Sequence, residues 1–464
     1  MLKKTFFAFL FSLFAICNVY AEENYIVELK GGGLRTFSAD GDMENIGSNM
    51  YVTDRETAEY LLKSGAAVQI EPDCPLELFD IDENAVESFA AEHNDQYYGS
   101  QIYMQKMDIP AMQAKFPCNI RIAVIDSGVN VTHPDLEGAN ILQGYNFVDN
   151  NTDISDTQNH GTRVVSVLAA VNDNEKGVAG IVPNAEILPL VAKTSTGGSV
   201  STLIKALNAA VDDYGCKIIN MSLGTTEYSY MLEKAVNSAA NKGVVMICAA
   251  GNNGSSAEGT TPTYPAYLEN TISVGAVTED MQLTTYTRRS GNIDVAVPYV
   301  SSNLPNAYGG YSYGAGTSFT SPVITAVSAM LLAKYPDMDV NDIRDVFKAV
   351  SADVCDSGRD NSGFGVPMCG DMEKYFNDRY DIYISPFITG NNTLVKAFAK
   401  KDKDGLMLVK AVFSGSRLLR YETEDIIFDG DDMFCSATKL NDGESLKLFV
   451  WDSFEGQKNY SAAR

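Results

Sequence analysis

The chain has 464 residues, more than one comfortable hydrophobic core accommodates, so a large domain with smaller units attached is expected. Hydrophobic residues at 45% and charged residues at 20% are the composition of a globular protein, not of a disordered chain. A formal net charge of -25 and a pI near 4.5 argue against nucleic acid or an anionic membrane as the main partner, because both reward lysine and arginine.

Residues 1–21 carry Lys3 and Lys4, an apolar run from Phe6 to Ile16 and the small-residue ending Val19-Tyr20-Ala21. That is the pattern of a secretory signal peptide cut after Ala21, and it predicts a protein that is secreted or held at the cell surface. No later stretch reaches membrane-spanning length. From Glu22 to about Asp73 the pattern suggests a small mixed unit, with strands at Tyr25–Leu29 and Ala66–Ile70 and a helix from Arg55 to Ser64. The acidic, poorly periodic stretch from Glu71 to Glu92 reads as an accessible linker open to proteolysis.

The next section alternates apolar strands with helical patterns, the signature of a parallel sheet covered by helices. Strand candidates are Arg121–Ile125 ending at Asp126-Ser127-Gly128, Ile218–Gly224, and Gly243–Ala250 running into Gly251-Asn252-Asn253-Gly254. Leu203 to Tyr214 and Tyr230 to Asn241 have helical spacing. From about Phe376 the texture becomes short apolar runs between acidic turns. Strands are expected at Leu394–Ala399, Leu406–Phe413 and Leu446–Trp451, with hairpin turns at Lys403-Asp404-Gly405 and Asn441-Asp442-Gly443. Beyond Cys17 the chain holds Cys74, Cys118, Cys216, Cys248, Cys355, Cys369 and Cys435, too few for a disulfide framework. Cys355 and Cys369 are the one closely spaced pair and the only disulfide candidate, whereas Cys216 and Cys248 read as buried thiols.

Gly316-Thr317-Ser318 opens a run of small and apolar residues, Phe319 to Met330, which reads as a buried helix with Ser318 at its mouth. Free N–H groups and the positive end of a helix dipole suit a nucleophile there, although an isolated serine in this setting is usually only a helix cap. A nucleophilic serine needs a base near neutral pKa, and the chain has three histidines to offer. His93 lies in the acidic linker and His133 is confined between Thr132 and Pro134. His160 remains, at the head of a second small-residue helix. Asp126 at the tip of an apolar strand needs a partner for its charge, and a histidine N–H would supply one.

In sequence order these motifs resemble the subtilisin-like serine peptidases. The resemblance is carried by Val124-Ile125-Asp126-Ser127-Gly128-Val129 with His133-Pro134-Asp135-Leu136, by His160-Gly161-Thr162, Asn220-Met221-Ser222-Leu223-Gly224 and Ala249-Ala250-Gly251-Asn252, and by Gly316-Thr317-Ser318. Their Asp, His, Ser order distinguishes this family from other triads. It implies an α/β fold, a subtilisin-like parallel sheet with helices on both faces. A small α+β propeptide (22–93, acidic linker included) would precede the peptidase domain (94–375), and a small all-β sandwich-like module (376–464) would follow it.

The implied function is a secreted serine endopeptidase made as a zymogen, with polypeptide as substrate and its own propeptide as inhibitor. Asp126 would orient His160, His160 would act as base and then acid, Ser318 would attack, and Asn252 would stabilise the oxyanion. Peptide would bind as an added strand between Gly197-Gly198-Ser199 and Ser222-Leu223-Gly224. Thr263 falls at the floor of the main specificity pocket, which predicts a pocket shallower than a glycine floor would give. The resemblance implies no cofactor for the chemistry, and a structural Ca2+ at Asp135 with help from the Asn172-Asp173-Asn174 loop. Departures are Phe319-Thr320 in place of the usual Met-Ala and Arg163 where histidine is frequent. Two rival readings are an inactive or slow surface protein whose C-terminal module binds at the cell surface, and an esterase of the α/β-hydrolase type. The second fails, since Ser318 lacks the Gly-x-Ser-x-Gly elbow and no histidine follows it.

Overall fold

The computed structural model describes residues 24–30, 43–79, 93–255, 259–299, 302–352 and 362–377, together with 382–389, 392–399, 406–414, 417–426, 433–441 and 444–451. The signal-peptide reading of 1–21 lies outside the described residues.

The centre is a seven-stranded sheet in the order β13-β12-β11-β9-β6-β8-β7, parallel at every pairing. Its strands are β6 (Arg121–Asp126), β7 (Tyr145–Asn146), β8 (Glu186–Val191), β9 (Ile218–Met221), β11 (Val245–Ala249), β12 (Ile272–Val277) and β13 (Val295–Pro298). Parallel strands covered on both faces read as continuous apolar runs, as Val245–Ala249 does. Successive side chains of β6 go to opposite faces. Ile122 and Val124 pack with residues of α4 (Gly161–Ala169) and α7 (Thr317–Lys334), while Ala123 and Ile125 pack with α5 (Val200–Asp212) and α6 (Tyr230–Ala240). Short helices α2 (Ile102–Lys106) and α3 (Ile109–Gln113) precede the sheet, and α8 (Val340–Val350) follows α7. A two-stranded pair, β14 (Ser302–Pro305) and β15 (Tyr311–Gly314), leads into α7, and another, β16 (Ser351–Ala352) and β17 (Val366–Pro367), precedes α9 (Met372–Asn377).

The N-terminal unit is a four-stranded antiparallel sheet, β2-β3-β1-β4, with α1 (Arg55–Lys63) packed on it. Its strands are β1 (Asn24–Leu29), β2 (Glu44–Gly47), β3 (Met50–Asp54) and β4 (Ala67–Pro72). The face carrying Ile26, Ile46 and Met50 joins the apolar cluster of α5 and α6, so this sheet is docked on the two helices. Asn208 Nδ2 donates to Ile46 O at 2.7 Å, and Lys205 and Lys234 pair with Glu44 and Glu28.

Residues 71–79 are not the solvated linker that their acidity suggested. Glu71 accepts hydrogen bonds from Ser229 Oγ and from the Tyr230 and Met231 N–H groups at the start of α6. Asp73 accepts from the Ser201 N–H at 2.8 Å and from the Ser199 and Ser201 hydroxyls at the start of α5. Both carboxylates satisfy N-terminal donors of helices they do not belong to. The rest of the expected linker, 80–92, lies outside the described residues.

Six C-terminal strands, β18 (Ile382–Thr389), β19 (Asn392–Ala399), β20 (Leu406–Ser414), β21 (Arg417–Ile426), β22 (Met433–Lys439) and β23 (Glu444–Trp451), form two antiparallel sheets, β18-β19-β22 and β21-β20-β23. The expected hairpins are corrected by this pairing. β19 and β20 lie in different sheets, as do β22 and β23, so neither pair of strands forms a hairpin. A turn signature does not encode which strand pairs next. Most of the residues in 403–405 and 441–443 lie outside the described set.

The cysteine pair is corrected as well. Cys369 is a free, buried thiol whose N–H donates to Met107 O and whose Sγ donates to Pro367 O; Cys355 lies outside the described residues. Cys216 and Cys248 are free and buried, as expected, and burial pushes the Cys216 thiol up to about 11.

Candidate active site

The polar tips of the sheet gather at the carboxyl ends of its strands, where open parallel sheets bind ligands. Asp126 closes β6 and is 1% exposed. Its Oδ1 accepts the Ser127 N–H at 2.7 Å and pairs with His160 Nδ1 at 2.7 Å. His160 stands immediately before α4. Asp156 accepts from Thr162 N–H, Thr162 Oγ1 and Ser127 Oγ, and Ser127 Oγ accepts the Gly161 N–H at 2.9 Å. The start of the histidine's helix is thus tied to the aspartate's strand tip. A Cβ on Gly161 would lie 2.2 Å from Gly128 O, so this approach requires glycine.

The other histidines are otherwise engaged. His133 Nδ1 accepts the Asp135 N–H while its Nε2 donates to Gly310 O at 2.8 Å, and His93 Nδ1 lies 3.1 Å from an Asp173 carboxylate oxygen. Arg163 and Phe319, the two departures from the family pattern, form one packed unit. The guanidinium lies 5.1 Å from the Phe319 ring centroid and the ring lies 5.6 Å from His160, so Phe319 flanks the imidazole and Arg163 covers Phe319.

Ser318 sits in the first turn of α7 and is fully buried. Pro322 has no N–H to give the Ser318 carbonyl, and Ser222 Oγ supplies the missing donor at 2.8 Å. Asn252 follows β11 at a neighbouring strand tip. Its Oδ1 accepts the Thr317 N–H at 3.1 Å and the Thr317 hydroxyl at 3.2 Å. That fixes which end of the amide is nitrogen, and Nδ2 is left buried without a hydrogen-bond partner among the described residues. A buried orphan donor is costly, by roughly 1–3 kcal/mol.

The chain's own segment 74–78 pairs with both of the segments expected to hold peptide. Pro75 bridges to Ser199, Leu76 N–H donates to Gly198 O at 3.1 Å, and Val200 N–H donates to Cys74 O at 2.8 Å. Across the cleft β5 (Glu77–Leu78) pairs antiparallel with β10 (Leu223–Gly224). Gly197 O accepts the Thr194 N–H at 2.8 Å in the turn that presents this edge. The Phe79 carbonyl oxygen, next after Leu78, accepts a hydrogen bond from Ser318 Oγ. Ser318 Oγ also donates to Ser222 O at 3.1 Å.

Phe79 is 6% exposed, and its ring tip lies 3.2 Å from where a Cβ on Gly224 would be. An aromatic ring is therefore accommodated beside Gly224. Thr263 is buried, with its hydroxyl turned against Gly251 and away from any hydrogen-bond partner among the described residues. Glu71, Asp73 and Phe79 are the residues that sequence reasoning missed. The alternation Leu76-Glu77-Leu78-Phe79 after the two acids was the available signal for an added strand.

Asp95 and Asp135 are buried near one another. Burial first, and the Asp95 charge in addition, raise the Asp135 carboxyl above the ordinary carboxylate range. Asp135 accepts from Val178 N–H and Asn174 Nδ2, and Asp95 accepts from the N–H groups of Asp173 and Asn174.

Residues 118–366 match the model of the subtilase family of peptidases. The chain is 40% identical over 245 residues to a thermophilic serine proteinase of Bacillus sp. (strain AK1), a match covering 52% of this chain and 60% of that one. It is 35% identical to subtilisin E of Bacillus subtilis (strain 168), with 57% of this chain and 72% of the other covered, and 34% identical to thermitase of Thermoactinomyces vulgaris, with 52% and 85% covered. A solved protease structure from Pseudoalteromonas arctica superposes with a TM-score of 0.54 at 24% identity, covering 61% of this chain and 99% of that one, which speaks to the fold. Fold and relatives define a hydrolase of the serine-type endopeptidase class. The chain belongs to the subtilase family.

Proposed function

We propose that this endopeptidase is an exported zymogen in which Asp126, His160 and Ser318 form the triad and Asn252 the oxyanion site. Ser318 Oγ attacks the carbonyl carbon of the bond to be cut and its proton passes to His160 Nε2, while Asp126 holds the imidazole through Nδ1. Negative charge on the carbonyl oxygen is met by Asn252 Nδ2 and by the N–H of Ser318 at the start of α7. The intermediate collapses with the C–N bond breaking, and His160 returns the proton to the departing amine. Water then repeats the sequence against the acyl-serine and restores the hydroxyl.

One observation carries this reading: the Phe79 carbonyl accepts a hydrogen bond from Ser318, and the tail before it is bonded as a strand to both edges of the cleft. The tail belongs to a unit with its own four-stranded sheet, so the N-terminal unit acts as an inhibitor occupying the substrate's place, and the first cut falls between Phe79 and Asp80. Export rests on the signal-like pattern of residues 1–21, and attachment to the cell surface is assigned to the two C-terminal sheets. The test is turnover of a peptide amide with phenylalanine before the scissile bond. Ser318→Ala and His160→Ala are each expected to lose roughly 10⁴-fold or more in kcat. Substantial turnover by either variant would remove that residue from its role.

Calcium belongs to the same reading. Two buried carboxylates near one another, Asp95 and Asp135, offer the oxygen ligands that a hard cation takes. Asp95 and Asp135 would hold Ca2+, and the ion would offset their repulsion and tie the start of the peptidase domain to the segment around Asp135.

A further inference from the structure

Arg288, between β12 and β13, is among the largest fully buried side chains of the chain. A guanidinium is almost never buried so completely without a fixed set of acceptors, and the acceptors here belong to the active-site loop. Its backbone N–H donates to Gly251 O at 3.0 Å, Nε donates to Asn252 O at 3.0 Å, and Nη1 donates to Thr261 O at 3.1 Å. Gly251, at φ +93°, leaves room for this approach: a Cβ there would lie 3.4 Å from Arg288 Nε and 2.9 Å from Thr263 Oγ1.

The guanidinium therefore joins two segments that both face substrate. One carries Asn252, and the other, Thr261 to Tyr264, leads through Thr263 to the strand bridge with Thr225 beside Gly224. Asn252 is consequently held at two points, by Thr317 on its side-chain oxygen and by Arg288 on its main-chain oxygen. Fixing both the main-chain and the side-chain oxygen restricts the rotation of the side-chain amide, and so the direction of Nδ2. A short neutral side chain would not span both carbonyls, whereas the rigid fork of arginine reaches the two at once.

We propose that Arg288 is a positioning residue for the oxyanion amide, acting through the Asn252 carbonyl, and that it sets kcat without touching substrate. The inference rests on the assignment of Asn252 to the oxyanion site. The test uses the self-processed protein, with active sites counted by a serine-directed phosphonate and a peptide anilide ending in phenylalanine as substrate. Arg288→Met is expected to lower kcat by about 10- to 100-fold with KM within about threefold, since small misplacements of a preorganised donor cost that much. Arg288→Lys, which reaches one carbonyl, recovers part of the loss. In an Asn252→Ala background, Arg288→Met adds less than about twofold, because the amide it positions is already gone.

The inference is overturned by a kcat for Arg288→Met within about threefold of wild type, by an effect confined to KM, or by an undiminished loss in the Asn252→Ala background. Should Arg288→Met fail to fold, Arg288→Lys decides: lower kcat at unchanged KM supports the role, and wild-type constants contradict it. If Asn252→Ala leaves kcat unchanged, the oxyanion assignment itself fails, an outcome distinct from failure at Arg288.

Discussion

Ser222 does two jobs with one hydroxyl, and both follow from Pro322. The proline leaves the Ser318 carbonyl without its helical donor, Ser222 Oγ donates there, and Asn220 Nδ2 donates back to Ser222 at 3.0 Å. Asn220 Oδ1 in turn accepts from the Ser321 and Thr325 hydroxyls, so β9 holds α7 through a closed polar network. Ser222→Ala leaves a buried carbonyl and a buried amide short of partners. The expected cost is about 1–3 kcal/mol, seen as a lower Tm, and an unchanged Tm would mean that the helix does not depend on this bond. At this scale Asp126, His160 and Ser318 were legible because polar residues stand where apolar strands end and small-residue helices begin. Arg288 was not, since no local pattern marks a buried arginine whose acceptors, Asn252 and Thr261, lie far back in the chain.

Among the elements, the segment 71–79, proposed as inhibitor and first substrate, carries acids that give its docking a pH dependence. Burial raises the Glu71 carboxyl to about 7 despite three donors from Ser229, Tyr230 and Met231, and the nearby Asp73 charge adds to the rise. Tyr228 also faces this group, and Glu71 helps hold its phenol protonated. The bound tail thus holds a proton that the released tail gives up near the ordinary value of 4.5. Retention is full at acid pH, weakens as pH rises from 4.5, and levels off above about 7. The cleaved segment is expected to dissociate at least about tenfold more readily at pH 8 than at pH 5, measured by gel filtration after processing, and Glu71→Gln flattens the dependence. Equal retention of the wild-type segment at both pH values would contradict the sign. Sequence reasoning found β1, α1 and β4 of this region, missed β2 and β3, and misassigned the tail. Acidic composition is the same for a solvated linker and for carboxylates docked on α5 and α6, and only the tertiary arrangement tells them apart. The same limit explains the C-terminal strands, which were located within a residue or two at β19, β20 and β23 but given the wrong neighbours.

The whole molecule is a parallel-sheet peptidase with a sheet docked on two of its helices at one end of the sequence and two small sheets at the other. Its α/β class was readable from β6, β9 and β11, whose apolar runs end in Asp126, Asn220-Met221-Ser222 and Asn252. The docking of the N-terminal unit was not, because Ile26, Ile46 and Met50 look like ordinary core residues until α5 and α6 are placed beneath them. The proposed calcium belongs to this scale. Chelation is expected to lower Tm by several degrees and added Ca2+ to restore it, because the Asp95 and Asp135 charges lose the cation between them. Indifference of Tm to chelator and to added ion would exclude a structural ion at this site.

The central proposal is that Ser318 cuts its own chain after Phe79, whose carbonyl it contacts. The direct measurement is the intact mass and N-terminal sequence of the purified protein beside its Ser318→Ala variant, with and without a serine-directed phosphonate. Wild type should lose a segment ending at Phe79, expose Asp80 as the first new terminus and take a single label, while the variant stays uncut and unlabelled. A wild-type chain that remains intact and unlabelled, or a Ser318→Ala chain that is cut at the same bond, would contradict it.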